Sequence, residues 1–483
     1  MSEALRTVVV PLIYLLSATL FIFGLKRLSR VRTARAGNAV AAFAMLLAVV
    51  GTLLELGWID YRWIAAGLVA GTVIGAAIAV RVPMTSMPEM VALLNGFGGA
   101  ASALVGIAVY WVDVAEPGAT GTAAALLGGA SAVTLVLSVL VGAVTFSGSL
   151  VAYGKLSGSI TGAPVRIPGG HALHVLLLAG TLAAGVAWCW YVAEPQGGTA
   201  VLLGLSAASL VLGVILVLPI GGADMPVVVS LLNSYSGVAA SATGFVIGNY
   251  LLIIAGAMVG AAGLILTRIM CVAMNRSLGA VVLGGFGGDV GSGAQTEGAG
   301  AYTNVRSTSP EEAAMVLEAA QRVVIVPGYG LAVAQAQHAV RELAELLEKR
   351  GAQVLYAIHP VAGRMPGHMN VLLAEADVPY DRLWEMERIN PEFRNTDVVL
   401  VIGANDVVNP AAQTTPDSPI YGMPILEVHH ARTVFVIKRS LGAGYAGVKN
   451  DLFERDNTLM IYGDAKKVLQ DLVAELKAAQ AAA

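Results

Sequence analysis

Hydrophobic and polar positions divide this chain unevenly. Nine stretches reach the length of about 20 apolar residues that a helix needs to cross the hydrocarbon of a bilayer. They lie near 8–25, 38–57, 63–80, 88–111, 122–146, 172–192, 199–219, 225–247 and 250–274. Past them the pattern changes. Residues 286–307 are rich in Gly, Ser and Thr without periodicity, which reads as a flexible tether. Ser309, Pro310 and Glu312 then supply an N-cap, a proline at the first helical position and a reciprocal glutamate, so a helix starts there. Short Val/Ile runs follow at 322–326, 353–358, 397–402, 433–437 and 458–462, alternating with helical patterns at 331–350, near 368–376 and at 464–479. Such a βαβ rhythm predicts a doubly wound parallel sheet. The expected organisation is a polytopic α-helical membrane domain over 1–276, a linker over 277–308 and a Rossmann-like α/β domain over 309–483.

Composition sharpens the division. The chain is 56% hydrophobic with a mean hydropathy of +0.73. Residues 1–283 hold only 20 charged side chains, whereas 284–483 hold 41. The net charge of −3 gives no basic footprint for nucleic acid. Basic residues gather in alternate loops: Lys26, Arg27, Arg30, Arg32 and Arg35 after span one, Arg81 after span three, Lys155 and Arg166 after span five, Arg276 after span nine. The other loops carry Glu55, Asp60, Asp113, Glu116 and Glu194, with Arg6 and Arg62 as minor exceptions. The positive-inside rule then puts the N-terminus outside and the C-terminal domain inside. Met1 to Val10 lack a basic n-region and a cleavage site, so span one reads as a retained helix. Cys189 and Cys271 stand in apolar runs without metal spacing; they read as core, and no metal site is indicated.

The membrane part contains a duplication. MPEMVALLNGFGGAA at 87–101 matches MPVVVSLLNSYSGVAA at 225–240, aligning Pro88 with Pro226, Asn95 with Asn233 and Gly99 with Gly237. The copies are four spans apart and hence parallel. A proline in each first turn places each asparagine about 12 Å along its helix, inside the hydrocarbon. Two readings compete there. One is interhelical glue, with small and polar residues at helical spacing. The other is a polar path that holds water or relays a proton, since repeat-related polar residues near midplane mark transport sites. Glu89 and Asp224 lie near inner helix starts, where the helix dipole favours a carboxylate. Asp224 is also placed to act as a gate or proton acceptor, because its loop holds no basic residue and leads into the second asparagine helix. His171 and His174 begin span six, and no histidine falls in the middle of any span.

Gly328-Tyr329-Gly330 sits between a Val/Ile strand and a helical pattern, a placement suited to a pyrophosphate or to a tight turn without ligand. An NAD site would place an acid at the end of the second strand, but that strand ends in Ala357, Ile358 and His359. Lys438-Arg439-Ser440 instead follows a later strand, where it suits a 2′-phosphate or is solvated surface charge. No Walker A sequence is present, which argues against ATP.

Four longer runs carry a resemblance. IHPVAGRMPGHMNVLLAEA at 358–376, VIGANDVVNPAAQ at 401–413, KRSLGAGYAGV at 438–448 and GADMPVVVSLLNSYSG at 222–237 resemble the β subunit of proton-translocating NAD(P)+ transhydrogenase. The similarity covers nearly the whole chain. It implies hydride transfer from NADH, held on a partner α subunit, to NADP+ held on this chain, coupled to inward proton movement. It implies NADP(H) contacts at Gly328, Tyr329 and Gly330, and at Val361, Ala362, Gly363, Arg364, Met365 and Pro366. Further contacts are implied at Gly403, Ala404, Asn405 and Asp406, and at Lys438, Arg439 and Ser440 for the 2′-phosphate. Gly444, Tyr445 and Ala446 would form a lid, with Gly463, Asp464 and Ala465 nearby. The nucleotide lies reversed in this family, so the usual fingerprint roles do not carry over to Gly328 and Gly330. Asn95, Asn233 and Asp224 are implied as proton-path and coupling positions. Some relatives carry a histidine where this chain has Asn95 and others place it on the partner; this sequence fits the second pattern. No side chain is implied as nucleophile or base. The resemblance also implies a bacterial cytoplasmic membrane and a dimer of αβ units. A channel or secondary transporter with a nucleotide-sensing Rossmann domain is the alternative.

Overall fold

The computed structural model describes residues 3–28, 31–56, 61–115, 121–162, 164–165, 169–192, 195–282, 302–365, 367–418, 420–444 and 446–482. Pro366, Tyr445, most of the expected tether and the loop charges Arg30, Asp60, Glu116, Arg166 and Glu194 lie outside the described residues. The chain forms two compact units, Met1–Pro219 with Val229–Leu266 and Ile220–Val228 with Thr267–Ala483.

Among the described residues nine helices are long and apolar enough to cross a membrane, as the hydrophobic runs require. Span five departs from its expected bounds. A short helix, Ala123–Leu127, stops at Gly128 with φ +83°, and a new helix runs Gly129–Leu156. Lys155 is therefore not a loop residue; it is buried in the last turn, and its Nζ donates to Leu218 O at 2.6 Å. The Ser147-Gly148-Ser149 run resembles the end of a span but is its packing face. A Cβ on Gly148 would stand 3.2 Å from Val217 and 3.3 Å from Leu232, and one on Gly96 would stand 3.0 Å from Ser149. Small residues let these backbones approach, where bilayer lipid gives no hydrophobic drive for helices to associate.

The two repeat-related helices, Met87–Val109 and Met225–Val246, each use their shared glycine for such an approach. A Cβ on Gly99 would stand 2.6 Å from Gly142 O, and one on Gly237 would stand 2.8 Å from Gly256 O. Each copy thus packs against the helix that follows it or lies beside it, through the same position.

The second unit holds a six-stranded, all-parallel sheet in the order β3-β2-β1-β4-β5-β6. The strands are β1 Arg322–Pro327, β2 Gln353–Ile358, β3 Leu383–Glu385, β4 Val398–Ile402, β5 Thr433–Lys438 and β6 Thr458–Tyr462. β1 and β4 read as continuous apolar runs because both faces are covered: Val323 and Ile325 enter one core, Val324 and Val326 the other. β3 had no sequence signal, since three residues, Leu-Trp-Glu, are too short to show one.

Local corrections have local causes. The helix expected over 331–350 is two, Tyr329–Val333 and Gln337–Lys349, broken where Gln335 takes φ +48°. Ser309 Oγ does accept from Glu312 N–H at 3.3 Å, but the Glu312 carboxylate accepts from Thr308 Oγ1 at 2.7 Å. The described end of the expected tether is fixed to the sheet. Met460 N–H donates to Arg306 O at 2.8 Å, and Thr308 N–H donates to Met460 O at 2.9 Å.

Candidate functional site

In a doubly wound sheet a ligand crevice opens at the carboxyl ends of the strands, where the strand order reverses. Here that point lies between β1 and β4. The described residues implied as nucleotide contacts cluster on this one edge, in the segments that follow β1, β2, β4, β5 and β6.

Two crests meet at the reversal. Gly328 N–H donates to Ile402 O at 2.9 Å, and Gly330 N–H donates to Gly403 O at 3.0 Å. A Cβ on Gly330 would stand 2.7 Å from Gly403 Cα, and one on Gly328 would collide with the Ala404 backbone. Gly403 itself has φ +65°. The glycines are therefore needed so that one crest can touch the other. The tight-turn reading of Gly328-Tyr329-Gly330 fits this packing, and the helix that follows has only five residues.

Beside the crests, the guanidinium carbon of Arg364 lies 4.5 Å from the Tyr329 ring centroid. Such stacking holds a planar cation flat against the ring face. At the end of β2, where an NAD site would hold an acid, His359 is buried and its Nε2 lies 2.9 Å from Pro424 O. Burial pushes its pKa down to about 4, so the ring is neutral.

The segments after β4 and β5 are joined by hydrogen bonds. With the Asn405 amide oxygen turned toward Gly444, it accepts from Gly444 N–H at 2.6 Å and from Lys438 Nζ at 3.2 Å. Asp406 Oδ2 accepts from Ala446 N–H at 3.1 Å, and Lys438 Nζ donates to Gly442 O at 2.6 Å. Burial lowers the Lys438 pKa while the charge of Asp406 raises it. Ser440 Oγ accepts from Gly442 N–H at 3.3 Å. Arg439 reaches Asp464 Oδ2 at 3.3 Å, with its side chain 65% exposed. The turn carrying that acid is tied back by Gly463 N–H to Lys438 O at 3.0 Å, and Ala465 is buried behind it. Ala362 and Met365 are also buried, so they shape the loop.

Asn450 escaped the sequence reading. It is fully buried, and its Nδ2 donates to Asn405 O at 3.1 Å while its N–H donates to Tyr302 Oη at 3.0 Å. A single asparagine in a polar loop carries no pattern that could have flagged it.

The membrane candidates separate. Asn95 is buried, and its Nδ2 donates to Val229 O at 3.2 Å, bonding one repeat helix to the other. Asn233 is half-buried. Asp224 ends a 3₁₀ turn, Gly222–Asp224, and both its oxygens accept from Arg276 Nη1, at 2.7 and 2.6 Å. One residue earlier, Asn275 Nδ2 donates to Tyr421 O at 2.8 Å.

The edge thus offers Arg364, Lys438 and Arg439 as cations, together with backbone crests and a hydroxyl. That donor set fits an anionic dinucleotide, with the planar Arg439 guanidinium suited to a phosphate. Fold and site together define a membrane protein that carries a Rossmann-like dinucleotide domain. The family described as NAD(P) transhydrogenase beta subunit matches residues 10–475. Two sequences from Rhodospirillum rubrum, each described as NAD(P) transhydrogenase subunit beta, are 50% identical over 460 residues, 95% of this chain and 97% of theirs. The chain belongs to the NAD(P) transhydrogenase β-subunit family, and it is one subunit of an oxidoreductase acting on NAD(P)(H) with an α subunit as partner. The nucleotide-sensing channel is not favoured.

Proposed function

We propose that this chain holds NADP(H) on the carboxyl edge of its sheet, and that the α subunit holds NAD(H). The observation carrying this reading is the pairing of an acid-free β2 terminus with Lys438-Arg439-Ser440 after β5. A 2′-hydroxyl calls for a carboxylate acceptor, a 2′-phosphate for cations. Lys438, Arg439 and Ser440 bind the 2′-phosphate, Gly444, Tyr445 and Ala446 form the lid, with Asn405 accepting from Gly444 N–H, and Arg364 on Tyr329 faces the nucleotide. Bound NADP+ supplies the hydride-accepting carbon. The chain's own groups orient it and exclude water; none acts as nucleophile or base.

The same proposal gives the membrane domain, 1–276, an inward proton path through Asn95 and Asn233, with Asp224 as coupling group. The segment 277–308 links it to the nucleotide domain, 309–483. The N-terminus lies outside and the nucleotide domain lies in the cytoplasm of a bacterial cell, with αβ units paired as a dimer. The Asp224–Arg276 pair and the Asn275–Tyr421 bond support coupling, since both sit where the last span gives way to the nucleotide domain. A proton arriving on Asp224 would neutralise the carboxylate, loosen Arg276 and shift the domain between states that hold and release NADP(H).

Titrating the purified αβ complex with NADPH and NADH, with Arg439→Ala alongside, tests the assignment. Selective loss of NADPH affinity supports it, and equal loss of both defeats it.

A further inference from the structure

His368 is 2% exposed and stands at the first position of the helix His368–Glu375, directly after the VAGRMPG loop. Its Nδ1 accepts the backbone N–H of Arg364 at 3.0 Å. An accepting Nδ1 fixes the neutral tautomer, with the proton on Nε2. Burial and the charge of Arg364 both push its pKa down, to about 4, in keeping with that tautomer. Yet Nε2 is buried and, among the described residues, has no hydrogen-bond partner. An aliphatic side chain would fill the same space without burying a donor, so packing alone gives no reason for an imidazole here. Its reason lies on the Nδ1 side.

That side is tightly built. Gly363 has φ +108°, and a Cβ there would stand 2.6 Å from both Cβ and Nδ1 of His368. The ring lies edge-on to Tyr329, with centroids 6.1 Å apart, and Arg364 covers the same Tyr329 ring. Ring, glycine turn and Arg364 amide therefore form one rigid joint between the segments after β1 and β2.

We propose that His368 is a positioning residue for the dinucleotide: through the Arg364 amide it sets the guanidinium on Tyr329 and so governs how long NADP(H) stays bound. The proposal rests on the NADP(H) assignment above. It concerns release of nucleotide and leaves hydride transfer in the loaded complex unchanged.

The test uses the full αβ complex and three substitutions. His368→Leu removes the acceptor, His368→Asn places an oxygen where Nδ1 stood, and His368→Gln places one where Nε2 stood. Loss of one such bond predicts about tenfold faster NADPH release for His368→Leu, with single-turnover hydride transfer at saturation unchanged. His368→Asn should return release to within about threefold of the parent, and His368→Gln should behave like His368→Leu. Unchanged release in His368→Leu, or rescue by Gln equal to that by Asn, overturns the proposal. Should the leucine variant fail to assemble, the Asn and Gln comparison decides alone. A parent complex that binds NADPH no better than NADH defeats the nucleotide assignment instead.

Discussion

Arg276 Nη1 stands 2.7 and 2.6 Å from the two carboxylate oxygens of Asp224, joining the exit of span nine to the entry of span eight. The Asp224 side chain is 13% exposed and that of Arg276 39%. Removing either charge leaves the other half-dehydrated, which costs more than the pair contributes.

Asp224→Asn and Arg276→Gln should each lower proton-coupled turnover by about tenfold while sparing reactions that bypass proton movement. The exchange Asp224→Arg with Arg276→Asp should recover part of it. Dye-monitored proton uptake in proteoliposomes, measured beside hydride transfer, decides; unaltered coupling in both single variants removes Asp224 from the mechanism.

Asn95 and Asn233 are distinguishable. Among the described residues Asn95, and not Asn233, has a side-chain bond to the other repeat helix, so Asn95→Ala should cost about 1 kcal/mol and lower the thermal midpoint. Asn233→Ala should leave the midpoint in place. If both line the proton path, both slow coupled turnover; a midpoint change without a coupling change returns Asn95 to the role of glue.

Gly403→Ala places a Cβ against the Gly330 backbone at φ +65°. The backbone term alone is about 1–2 kcal/mol. Unfolding of the nucleotide domain should fall by at least about 5 °C, and NADPH binding should weaken with it. Differential scanning calorimetry with and without NADPH reads both effects.

Three imidazoles, the buried His359 and His368 and the half-buried His429, have pKa values pushed down to about 4 in the fold, against 6.5 ordinarily, chiefly by desolvation. Between those values the unfolded chain binds more protons than the folded one. Stability is therefore complete above pH 6.5 and is lost as pH falls toward 4, by up to about 1.4 kcal/mol per pH unit for each ring. Unfolding midpoints at pH 7 and pH 5 should differ in that direction. A midpoint that holds or rises at pH 5 would show that these rings are charged in the fold.

The sequence by itself determined the elements whose signal is periodic. Nine apolar runs, the alternation of five Val/Ile strands with helices, and the duplicated asparagine motif were all legible, because burial in lipid or in a sheet demands many apolar residues in a row. The cluster of implied contacts on one edge followed from the chain order of those strands. What only the tertiary structure decided depends on residues far apart in sequence. The pairing of Asp224 with Arg276, the bond from Asn95 to Val229, the contact of Gly330 with Gly403 and the holding of Asn405 by Asn450 all join separate segments. No run of neighbours encodes them. Span five shows the same limit from the other side: the apolar run near 122–146 stops short of a helix that continues to Leu156, since the packing partners of Gly148 and Ser149 lie on other helices.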